Sequence, residues 1–118
     1  VKMAENRETT SVSDEVIAIC AVNAALKTEG VLRMAGGLSN ALSRNLLGKE
    51  LLSKGVNVSQ SSGRIEIDVN IIARYGCKIP QVAWDIQENV KTEVKEITDL
   101  KVNAVNIHVQ GVEKDDQK

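Results

Sequence analysis

The chain has 118 residues, 42% of them hydrophobic, and its 15 Lys and Arg against 16 Asp and Glu leave a formal net charge of -1. A chain of this size buries about two thirds of the surface its unfolded form exposes, so a single domain folds without disulfides or a structural metal. One Trp, one Tyr and no Phe make the core aliphatic and leave almost no aromatic platform for stacking nucleic-acid bases.

In chain order, residues 1–10 are polar without periodicity and read as a flexible tail. Ser13 followed by Asp14 and Glu15 supplies an N-cap hydroxyl and first-turn carboxylates, which predicts a helix from near Ser13 to about Glu29, before Gly30. Its apolar residues, among them Val16, Ile17, Ile19, Cys20, Val22 and Leu26, surround nearly the whole circumference. Such a helix is buried on more than one side, and one side is open to a subunit contact. Residues 30–54 read as a long connection in which Leu38, Ala41, Leu42, Leu46 and Leu47 recur at helical spacing before Gly48, a short amphipathic helix. From Lys27 to Lys54 five basic residues face two acidic ones.

Val56 and Val58, then Ile65, Ile67, Val69, Ile71 and Ala73, alternate with polar residues on either side of Gln60-Ser61-Ser62-Gly63. This is a hairpin with one wet face. Ile79-Pro80 opens a second helix, because proline fits a first-turn position whose amide has no helical partner. Val82, Ala83, Ile86, Val90, Val94 and Ile97 form its single apolar stripe, and from residue 79 to 99 five acidic residues face two basic ones. Leu100 to Gly111 reads as the last strand, with Val105, Ile107 and Val109 inward; Val102 breaks that parity and points to a bulge or a later start. The expected architecture is α+β, a two-layer α-β-β-α-β domain over residues 11–112. Its mixed three-stranded sheet is covered on one face by two helices, and residues 113–118 form a second flexible tail.

The start Ser-Asp-Glu-Val-Ile-Ala, Gly36-Gly37 after Met34, Leu52-Ser53-Lys54-Gly55-Val56, the run YGCKIPQVAWDIQENVKTEVKEITDLKV and the closing VNIHVQGV together resemble the bacterial alkaline shock protein family of envelope stress response proteins. The likeness spans roughly residues 11–112. It implies a non-enzymatic cytoplasmic protein of Gram-positive type bacteria concerned with cell-envelope homeostasis. Some relatives self-assemble beneath the membrane through a separate anchor protein, and others are linked to control of acetyl-CoA carboxylase. The family offers no catalytic residues to carry over and no cofactor. Asp99 stands where the family often has Gly, and Asp tolerates a left-handed helix cap less well, so a differently built helix end is expected.

Other chemistry is thinly represented. Cys20 and Cys77 lie far apart without a CxxC or Cys/His cluster, so neither a disulfide framework nor a zinc site is written in the chain. Cys20 reads as a small buried hydrophobe, and Cys77 beside Lys78 as the more reactive thiol. His108, the only histidine, sits on a wet strand face where Glu66 or Asp68 can meet it. A metal or acid-base site there still lacks converging ligands or a pocket. Gly48-Lys49-Glu50 lacks the spacing and hydroxyl of a phosphate loop, and no GxxG supports RNA binding. No apolar run approaches the roughly 20 residues of a membrane span, although Leu38 to Leu47 has the form of a surface-lying or lid helix. The weight falls on protein contacts: a homo-oligomer in which a basic connection meets an acidic helix of the next copy, with Arg33, Arg44, Lys49, Asp85, Glu88 and Glu93 as contact residues; the family resemblance implies a membrane-anchor protein as a further partner.

Overall fold

A computed structural model describes residues 12–36 and 55–115. Helix α1 (Asp14–Leu26) begins where Ser13 Oγ accepts the Val16 N–H at 3.2 Å, with Asp14 and Glu15 in its first turn. Gly30, at φ 100°, turns the chain into β1 (Val31–Met34). A Cβ at Gly30 would stand 2.4 Å from Cγ2 of Val82, so the close approach of this turn to the second helix requires glycine. Strands β2 (Val56–Ser61) and β3 (Arg64–Arg74) are joined by Ser62 and Gly63, both at positive φ, the geometry that matches a tight hairpin to the strand twist. Helix α2 (Ile79–Thr98) carries Pro80 in its first turn, and β4 (Ala104–Glu113) closes the fold.

The sheet has four strands rather than the three expected, because Val31–Met34 is a strand and not part of a connection. β3 lies at the centre. β4 pairs with it in parallel along one edge, from Glu66↔Ala104 to Arg74↔Glu113, which makes the sheet mixed. β2 and β1 both run antiparallel to it along the other edge, β2 against residues 64–69 and β1 against residues 71–73. They meet end to end at Asn70, whose carbonyl accepts the Ala35 N–H at 2.9 Å and whose N–H donates to Gly55 O at 2.7 Å. β1 and β2 thus behave as one edge strand, interrupted by the residues between 36 and 55.

Both helices cover one face, as the patterning predicts. Ile67, Val69, Ile71 and Ala73 of β3 are fully buried beneath Ile17, Ala21, Ala24 and Ala25 of α1 and Ile86, Val90 and Val94 of α2. At the α1–α2 junction the buried Thr28 hydroxyl donates to Ala24 O and accepts from Asn89 Nδ2, both at 2.8 Å, so this buried hydroxyl is satisfied as donor and as acceptor. The parity break at Val102 resolves as a later strand start: Val102 is buried ahead of β4. A register shift falls instead where Ile71↔Val109 passes to Ile72↔Gly111. Two ends differ from expectation. Asp99 does adopt the left-handed cap, at φ 67°, its N–H donating to Lys95 O at 2.8 Å. Ordered structure also continues past residue 112: Glu113 O accepts the Tyr75 N–H, and Asp115 pairs with Arg74.

Candidate interaction site

α1 packs against the sheet with Ile17, Ala18, Cys20, Ala21, Ala24 and Ala25 and leaves Val16 41%, Ile19 49% and Leu26 49% exposed. Val16 and Ile19 are three residues apart and Leu26 follows seven later, so the three share one side of the helix. Half-buried Val22 lies beside them. The result is an apolar ridge along the outside of the domain. Isolated exposed apolar residues need no explanation, but a contiguous line of them on one helix is the usual mark of a contact surface.

Of the six contact residues named from sequence, Arg44 and Lys49 lie outside the described residues, as does the amphipathic segment Leu38 to Leu47. Arg33 Nη2 donates to Glu113 Oε2 at 2.8 Å, reaching from β1 across the end of β3 to β4. Glu93 accepts from Lys27 Nζ at 2.9 Å and ties α2 to α1. These two charges clasp the domain itself. Asp85 accepts from Gln81 one turn earlier at 2.9 Å and Glu88 is exposed, both on α2. Trp84, 58% exposed on the same helix, was given no role by the sequence pattern. Its place off the Val82–Ile86–Val90–Val94 stripe is the signal that marks it as a surface aromatic.

The uncovered face of the sheet is a polar ladder. Asp68 Oδ1 accepts from Asn106 Nδ2 at 3.0 Å and lies 3.3 Å from His108 Nε2, while Gln110 Nε2 donates to Asn70 Oδ1 at 2.9 Å. His108 therefore meets Asp68, one of the two carboxylates within its expected reach. The pair lies on an open, half-exposed surface. Among the described residues no group of three His, Cys, Asp or Glu is placed to hold a metal ion. Cys20 is buried and its thiol is pushed up from its ordinary value, first by that burial and then by the Glu93 carboxylate. That matches its reading as a core hydrophobe. Among the described residues no helix is long and apolar enough to cross a membrane.

Comparison with known proteins bears on this arrangement. Residues 2–114 match the model of the alkaline shock protein 23 family, described as having a cell envelope-related function. The uncharacterized protein YloU of Bacillus subtilis is 43% identical over 103 residues, covering 86% of this chain and 85% of that one. YqhY of the same organism is 35% identical over 104 residues, covering 88% and 76%. A Streptococcus pyogenes protein named as a stress response regulator gls24 homolog is 32% identical over 104 residues, covering 88% of this chain and 58% of its own. No solved structure matches significantly. The family match across almost the whole chain, together with relatives of this identity, shows that the chain belongs to the alkaline shock protein family, whose function is related to the cell envelope.

Proposed function

We propose that the protein is a non-enzymatic scaffold of the envelope stress response, which self-associates and docks to a membrane-anchored partner at the cytoplasmic face. The observation that carries this reading is the ridge of Val16, Ile19 and Leu26 on α1, three large aliphatic side chains each more than two fifths exposed. Burying the part of each that is still exposed is worth about 1 kcal/mol, so the three together can contribute substantially to association. The cell-envelope description of the family and the stress-regulator name of the streptococcal relative support the physiological part.

Light scattering of the purified chain at low and high salt tests it, with Val16→Ser, Ile19→Ser and Leu26→Ser combined in one variant. The expected result is a particle heavier than the 12.8 kDa chain that survives high salt, and a variant that remains monomeric with an unchanged circular dichroism spectrum. An apolar contact is strengthened or unaffected by salt, whereas a contact between basic and acidic segments dissociates. A wild-type monomer at both salts would remove self-association.

A further inference from the structure

We propose that the groove between the end of α2 and the approach to β4 is a binding site for a phosphate group. A cavity of about 630 Å³ lies there, lined by Lys91 and Lys95 from the helix and Lys101 from the segment after it. Among the described residues Glu96 is the only carboxylate of its lining. Three lysines from two segments thus line one groove at the end of a helix whose other charges are acidic, in a chain of net charge -1.

Lys91 and Lys95 are four residues apart, so they stand one above the other on the helix and repel. Attraction of cations to the helix C-terminus accounts for Lys95, which lies in the last turn. It does not reach Lys91, farther back along the helix, and Lys101 belongs to no helix. Lys95 has Asp99 at 3.3 Å, an exposed pair that an incoming anion can displace, while Lys91 and Lys101 make no ion pair among the described residues. Asn103 also lines the groove and is held rigidly: its backbone N–H donates to Ile65 O and its Oδ1 accepts the Ile65 N–H, both at 2.8 Å. With that oxygen engaged, the Nδ2 group is the remaining donor. The Thr92 hydroxyl adds another on the helix side, and buried Val102 contributes an apolar wall. Ammonium groups from two segments, an anchored amide and a hydroxyl form a donor set suited to the oxygens of a phosphate. That phosphate is either free in solution or carried by a lipid headgroup.

The test titrates the isotope-labelled full chain with inorganic phosphate, against chloride at matched ionic strength, and follows the amide resonances. The expected result is saturable shifts at Thr92, Lys101 and Asn103, with affinity falling about tenfold or more in a Lys91→Gln, Lys101→Gln double variant that keeps the dispersed spectrum of the wild type. Flotation with vesicles of equimolar phosphatidylglycerol and phosphatidylcholine, against phosphatidylcholine alone, separates the sources. Flotation only with the anionic vesicles, lost in the double variant, assigns the groove to a lipid headgroup. Saturable phosphate binding without flotation assigns it to a soluble phosphate compound. Shifts that do not saturate, or that are equal in wild type and double variant, overturn the proposal.

Discussion

Cys20 shows how a single buried group couples this fold to pH. Its thiol is 3% exposed on the sheet side of α1, and burial, then the nearby Glu93 carboxylate, favour its protonated form. The unfolded chain has no such preference, so the unfolded state releases the proton at lower pH than the folded one. The stabilisation is fully present below the ordinary value of 9.0 and is lost as pH rises toward the elevated folded value. Denaturant midpoints measured from neutral to alkaline pH are therefore expected to fall more steeply for the wild type than for Cys20→Ala. The other groups that titrate in this range are common to both proteins and cancel in the difference. Parallel profiles would show that the thiol does not contribute. Glu93 itself is only partly exposed and held by Lys27, a pairing between two helices that counting charge along α2 does not show.

The cap of α2 offers a sharper test of local backbone chemistry. Asp99 occupies a left-handed conformation at φ 67° and ψ 14°, where a Cβ crowds the neighbouring carbonyl and glycine is at ease. Asp99→Gly is expected to raise stability by up to about 1 kcal/mol, less the small worth of the exposed Lys95 pair, as read from thermal melting. A loss of stability would mean that the Asp99 side chain, not the backbone, holds this turn together. Elements of this kind were legible wherever one periodicity dominated: α2 from its stripe, β3 from alternation over eleven residues, the hairpin from its turn. β1 was not. Its four residues are too few to alternate, Arg33 interrupts them, and their strand conformation is imposed by pairing with Ile71, Ile72 and Ala73 far along the chain. The ridge on α1 was only half legible for a related reason. Apolar residues all round a helix announce a second contact but do not say which side is covered; the burial of Ile17, Ala18, Cys20, Ala21, Ala24 and Ala25 decides it.

The way β1 and β2 meet sets what the domain can lose without unfolding. The donors and acceptors of Ala35, Asn70 and Gly55 close the edge strand on both sides of the interruption, and the Asn70 side-chain amide adds a bond to Gly55 O at 3.2 Å. The described core is continuous from α1 through β3 to α2 and β4. Shortening the chain between two fixed ends also lowers the entropy lost on folding, by about 0.6 kcal/mol for each halving of a flexible connection. Replacing residues 37–54 with a short Gly/Ser linker is therefore expected to keep the far-ultraviolet circular dichroism and a single cooperative melt, with a midpoint within a few degrees of the wild type. Loss of cooperative folding would show that the core depends on the replaced residues. Light scattering on the same variant then divides the two sources of self-association proposed for the chain. Val16, Ile19 and Leu26 remain in the variant, whereas Arg44 and Lys49 are removed with the linker replacement. A particle mass that stays high in the folded variant places the contact on the α1 ridge, and a fall to the monomer places it on the excised segment, whose basic residues the variants Arg44→Glu and Lys49→Glu in the intact chain then test separately from its leucines.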